Sequence, residues 1–238
     1  MASRDEIESL VSFLIAVKDN PSPLWIYRGQ SNASHPLKPK AGRPGYFQAN
    51  PLDRDLNYFY EWCKQSAPYG SVLPESLFER LALAQHYGLA TRMLDWTTNP
   101  LVALYFAVEV EDEKDGVVVC YSPTGYFYPH LKEFWQVEAV VRYDPPPFDA
   151  RIRAQSGIFT YHPFPSHELV EEPKSINFRR LVVPSKAKGA ILTELAEIDI
   201  TRRTLFPGLD GLSQWMNWQL KSDWDRGWIN PGPVKFRN

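Results

Sequence analysis

Apolar residues recur at helical spacing in several stretches of the chain. Ile7, Leu10, Phe13 and Leu14 form one stripe, and Ser3 with Glu6 has the spacing of a capping box, so residues 3–17 predict a helix. Leu56, Phe59 and Tyr60 predict a second over 52–63, with Pro51 suited to its first turn. A third, 75–87, follows Pro74, carries Glu75 near its positive end and places Leu77, Leu81 and Ala84 on one face. Leu101, Leu104, Tyr105 and Val108 give a fourth over 99–110, with Thr98 as a candidate cap. Helices are also expected over 186–195 and 209–220, with 199–207 a connection or a short helix. Strands are expected over 24–27, 116–121, 137–143, 157–161 and 178–183. In 157–161, alternation puts Ile158 and Thr160 on one face and Gly157, Phe159 and Tyr161 on the other. Residues 31–50 read as a long loop, 87–98 as a turn-rich link, 109–115 as a solvated acidic helix end and 224–238 as loop or tail. The expected fold is a single compact α+β domain over 1–238, with helices in its first half and most strands in its middle.

Composition narrows the class of protein. Hydrophobic residues make up 44% and charged residues 23%, which suits a globular chain and excludes long disordered tails. Lys plus Arg is 26 and Asp plus Glu is 28, so the net charge of -2 does not favour a bulk grip on nucleic acid, although a local basic patch is compatible with it. Cys63 and Cys120 match no zinc motif or disulfide framework, and they read as buried thiols in a reducing compartment. No signal peptide or membrane-length apolar run is evident, so a cytoplasmic location with no membrane partner is expected. The 21 prolines and many aromatics crowd loop segments, which suggests packed loops that build a binding surface.

Four polar clusters stand apart from the core pattern. In Tyr27-Arg28-Gly29-Gln30, Gly29 lets a ligand or another backbone approach, and Arg28 presents a donor fork suited to phosphate or carboxylate. The plain alternative is a structural ion pair of Arg28 with Asp95 or a glutamate. The second cluster runs from Gln85 to Pro100 and holds His86, Gly88, Thr91, Arg92, Asp95 and Asn99. Arg92 and Asp95, three apart, could pair, and His86 could simply close a loop. No second His or Cys lies at ligand spacing, so no metal is expected. The third cluster brings Arg151, Arg153 and Gln155 just ahead of Gly157. The fourth, Arg202 to Leu212, reads as a structural turn at a helix start.

Tyr27-Arg28-Gly29, the run from Gln85-His86-Tyr87-Gly88 through Thr91-Arg92-Met93-Leu94-Asp95-Trp96-Thr97 to Ala107, and the later Gln155–Thr160 and Leu205–Gly211 motifs together resemble the FRG domain family over about residues 24–212. The family is named for a Phe-or-Tyr, Arg, Gly motif and occurs in bacterial and phage-related contexts. Its first motif is also similar to the opening strand of Arg-class ADP-ribosyltransferases, where an Arg followed by Gly orients NAD. That resemblance implies a divergent ADP-ribosyltransferase-like fold with a helical N-terminal half and a transferase or NAD glycohydrolase activity. NAD would be the substrate, and the acceptor is left open. The resemblance places Arg28 and Gly29 at NAD, and together with the polar clusters gives Arg28, Gly29, Gln30, Thr91, Arg92, Arg153 and Gln155 as expected ligand-binding residues and Asp95, His86 and Arg28 as expected catalytic ones. Gly157 stands where that fold would carry its catalytic Glu. Asp95 is therefore the substitute acid, with Glu168, Glu194 and Glu197 as weaker candidates. A non-catalytic nucleotide or nucleic-acid binding module, and a structural or protein-interaction domain, are the alternatives.

Overall fold

The computed structural model describes residues 5–18, 24–46, 53–69, 73–110, 113–123, 136–169 and 178–222. Seven strands form one sheet: β1 (Asp5–Glu6), β2 (Ile26–Gln30), β3 (Met93–Thr97), β4 (Gly116–Tyr121), β5 (Val141–Tyr143), β6 (Gly157–Tyr161) and β7 (Phe178–Val183). Their order is β1-β7-β4-β2-β3-β6-β5, and every pair is antiparallel except the short edge pair β1–β7. The helices are α1 (Leu10–Lys18), α2 (Arg54–Gln65), α3 (Leu77–His86), α4 (Pro100–Val108), α5 (Ala150–Ala154), α6 (Lys188–Glu197), α7 (Arg202–Leu205) and α8 (Leu209–Ser222). The result is a single α+β domain.

The helices pack on one sheet face in two groups. Tyr27, Val118, Cys120, Leu181 and Val183 meet Phe13 of α1, the apolar side of α4 and Ile191 and Leu195 of α6. Met93, Tyr143, Phe159 and Tyr161 meet Leu56 and Phe59 of α2, Phe78 and Leu81 of α3 and Ile152 of α5. Tyr27 lies directly opposite Thr97, so both groups share that face. The other face carries Ile26, Leu94, Trp96, Val117, Val119 and Ile158, and Leu37 with Leu169 from loops packs against it. The alternation expected for 157–161 holds, with Ile158 in this second layer and Phe159 and Tyr161 beneath the helices.

Several expectations are corrected. The first half does carry four helices, α1 to α4, but β1, β2 and β3 interleave with them and helices also follow in the second half. Residues 93–97 form a strand in the body of the sheet, where a turn-rich link was expected. Four of the five residues are buried, but Asp95 interrupts the apolar run that would have announced the strand. Gly29 lies inside β2 and does not break it. Glu6 belongs to β1, so it cannot close a capping box on a helix that starts at Leu10. Asn99, not Thr98, caps α4, its side chain accepting from the amide of Leu101. Arg151 and Arg153 lie on a short helix. Glu109 is no solvated end residue: it accepts from Arg202 at 2.8 Å, and burial pushes its carboxyl up. The Ser3 cap, the Pro51 first turn and the 224–238 tail lie outside the described residues.

Candidate functional site

The sheet opens between β2 and β3. These strands are paired through Tyr27 and Thr97 alone, whereas β2–β4 and β3–β6 each run in register for five residues. The pairs that would follow in that register, Arg28 with Trp96 and Gly29 with Asp95, are not made. Arg28 fills the opening: its Nη1 donates to the main-chain oxygen of Asp95 at 2.6 Å and lies 3.8 Å from the Asp95 carboxylate. A cavity of about 460 Å³ lies at this opening. The sheet contributes Arg28, Gly29, Asp95, Thr97 and Gly157 to it, α4 contributes Val102 and Phe106, and the end of α3 contributes Gln85 and His86. Arg151, Ile152 and Gln155, at α5, close the remaining side. The volume is within the range of small-molecule sites, about 300–1,000 Å³.

Asp95 is the exposed member of β3, its side chain 58% accessible. Its orientation is set from α3. The Thr91 hydroxyl donates to Gln85 Oε1 at 2.6 Å, which fixes the amide, and Gln85 Nε2 then donates to Asp95 Oδ2 at 3.0 Å. His86 lies 3.4 Å from Asp149. Burial holds its pKa below the ordinary value, partly offset by Asp149, so the ring is neutral at pH 7. Burial also lowers the pKa of Arg28, while Asp95 raises it and Arg43 lowers it further. The guanidinium remains charged, and its Nε is buried without a hydrogen-bond partner among the described residues.

Arg28, Gly29, His86, Asp95 and Gln155 thus meet at one cavity. The other sequence-predicted residues do not line it. Gln30 is buried beside it. Thr91 is 1% exposed and acts through Gln85. Arg153 is exposed outside the lining, and its neighbour Arg151 takes that place. Arg92 does not pair with Asp95. Its side chain is 4% accessible, and it meets Asp55 at 2.6 and 2.7 Å and Asp53 at 3.0 Å. Those hydrogen bonds outweigh burial and raise its pKa. Asp95 lies in β3 and Arg92 just before it, so the two lack the helical geometry that brings residues three apart together.

Gly29 serves the second of the two purposes expected of it. A Cβ there would lie 1.9 Å from the carbonyl oxygen of Ala103, so it is the backbone of α4 that approaches. Gly157 meets no such neighbour: a Cβ would sit 3.4 Å from Ile152 O. Gln155 is held by donating to the carbonyl of Leu205 at 3.0 Å. The motif around 205–211 was expected to be a structural turn, and it also props the site. Phe206 is stacked by Arg202 at 4.0 Å and by Arg151 at 4.5 Å, which fixes Arg151 at the cavity edge. Glu194 accepts from the amide of Leu10, and neither it, Glu168 nor Glu197 lines the cavity.

A domain in which an Arg-Gly strand and a Gln-His to Asp-Trp-Thr segment meet at one opening is the class defined here. The family model of the FRG domain matches residues 23–116 of the chain. That stretch holds β2, α2, α3, β3 and α4 and ends at the first residue of β4, so it supplies Arg28, His86 and Asp95, while α5 and β6 lie beyond it. No curated protein and no solved structure matches the chain. No helix among the described residues is long and apolar enough to cross a membrane.

Proposed function

We propose that the cavity between β2 and β3 binds NAD and that the protein is an ADP-ribosyltransferase-like enzyme or NAD glycohydrolase. The observation that carries this reading is the meeting of Arg28 and an exposed, oriented Asp95 on one cavity wall. In such a reaction the bond between the nicotinamide nitrogen and ribose C1′ breaks, and its electron pair leaves with nicotinamide. Positive charge develops on the ribose, where a fixed carboxylate is most effective. Asp95 fills that role, since Gly157 offers no charge. A phosphate of the ligand competes with Asp95 for Arg28 and so frees the carboxylate. The acceptor, water or another nucleophile, then bonds to C1′ and passes its proton to the neutral His86 ring.

Gly157 favours a second reading, a site that holds an anionic nucleotide without cleaving it. Incubation with NAD, followed by chromatography of nicotinamide and ADP-ribose, separates the two. The Asp95→Asn variant, which keeps the shape and removes the charge, is expected to lose about 10²–10³ in turnover with unchanged melting. Full turnover in the folded variant rejects Asp95 as the acid, and NAD binding without nicotinamide release by the wild-type protein selects the second reading.

A further inference from the structure

A smaller cavity of about 220 Å³ lies against the first and shares Arg28, Gln85, Gly88 and Asp95 with it. Its remaining polar side chains are Lys40 and Arg43, from the loop between β2 and α2. That loop is anchored beside β3: Ala41 donates its amide to the carbonyl of Thr91 at 3.1 Å, and Ala41 and Gly42 are buried. Lys40 and Arg43 are both half-buried. Lys40 Nζ donates to the carbonyl of Gly88 at 2.9 Å and lies 5.2 Å from the Tyr46 ring centroid. Arg43 Nε donates to the carbonyl of Lys38 at 3.0 Å.

Among the described residues neither cation meets a carboxylate, and Arg28 has Asp95 alone, at 3.8 Å. Three cations therefore converge with one acid. Withdrawing charges from water without a counter-charge is unfavourable, and that cost is relieved by an anion that takes their spare N–H donors. The two guanidinium groups retain planar forks suited to phosphate oxygens, and Lys40 adds a point charge. The repulsion between Arg43 and Arg28 has the same sense, since the attraction of an anion between them offsets it.

We propose that Arg28, Lys40 and Arg43 form a diphosphate subsite, so that a bound nucleotide lies across the β2–β3 opening with its phosphates here and a ring in the larger cavity. This deepens the nucleotide reading given above, but it depends on these donors and not on cleavage of NAD. The test is calorimetric titration of the full chain with inorganic pyrophosphate, repeated on Arg43→Gln and Lys40→Gln. Lys186→Gln, at an exposed lysine paired with Glu8, is the control. Losing one charged donor is expected to weaken pyrophosphate about tenfold or more in each site variant, with melting temperature kept and the control unchanged. Absence of pyrophosphate binding to the wild-type protein, or equal binding by the site variants, overturns the subsite. The enzymatic reading fails separately: pyrophosphate binding without nicotinamide release keeps the subsite and removes the enzyme. NAD cleavage with an unchanged KM in both site variants does the reverse.

Discussion

Thr91 shows how a buried residue controls an exposed one. Its hydroxyl donates to Gln85 Oε1, which leaves the Gln85 amide nitrogen for Asp95. Without that donor, the amide is free to turn its oxygen toward the carboxylate. Thr91→Val keeps the shape and removes the hydroxyl. It is expected to lower NAD turnover by about tenfold, the equivalent of one ordinary hydrogen bond, through kcat and not KM. Thr91→Ser should restore it, and no change in kcat would show that Gln85 is held by other means. Arg28 is a different case, because it lines the cavity itself. Arg28→Ala is expected to weaken pyrophosphate and NAD binding by about tenfold or more, since a charge-assisted contact is lost. A folded Arg28→Ala protein that binds both normally would make Arg28 a brace for the β2–β3 opening.

Elements set the shape of the cavity through close backbone packing. The helix α4 rests on β2 at Gly29 and on β4 at Gly116, where added Cβ atoms would lie 1.9 and 2.2 Å from carbonyl oxygens of the helix. Backbone cannot step aside as a side chain does. Gly29→Ala is therefore expected to cost at least the roughly 1–3 kcal/mol of ordinary overpacking, read as a lower denaturant midpoint. A variant of wild-type stability would mean that α4 shifts freely. On the other side, Arg92 ties β3 to the start of α2 through Asp55 and Asp53. Removing the cation leaves Asp55, whose side chain is 11% accessible, without its charge partner. Arg92→Met is expected to cost about 3–5 kcal/mol, and Arg92→Met with Asp55→Leu to recover much of it. If the single change proves neutral in urea unfolding, the pair does not hold α2 in place.

At the scale of the whole molecule, stability should depend on pH through His162. It is 2% exposed, and its Nε2 lies 2.9 Å from the Thr160 hydroxyl, which also accepts from Trp96 Nε1 at 2.8 Å. Burial, aided by the charge of Arg28, pushes its pKa from 6.5 down to about 4. The unfolded chain therefore binds a proton that the folded chain refuses between these values. Stability contributed by the neutral ring is complete above pH 6.5 and is lost as pH falls toward 4, by about 3 kcal/mol in all. Thermal melting from pH 7.5 to 4.5 should show this fall, and His162→Gln should flatten it. An equally steep profile in the variant would assign the dependence to carboxylates.

The sequence determined the pieces whose signal is local. The strands at 116–121, 157–161 and 178–183 have the boundaries that continuous or alternating apolar residues gave them, and the helices at 54–65, 77–86 and 100–108 follow their apolar stripes closely. It also brought out Arg28, His86, Asp95 and Gln155, because charged or amide groups beside glycines and short apolar runs have no ready place in a core. Only the tertiary structure decided where the chain opens. The strand β3 was hidden because its exposed Asp95 breaks the apolar run, and the parting of β2 and β3 after one pair leaves Asp95 beside a cavity. Arg92 and Asp95 are close in sequence but take partners 37 and 67 residues away. Lys40 and Arg43 lie in 31–50, which the sequence marks only as a long loop. What gives them meaning is a main-chain bond from Ala41 to Thr91, which holds that loop against Arg28, and no local pattern encodes a contact between residues fifty apart.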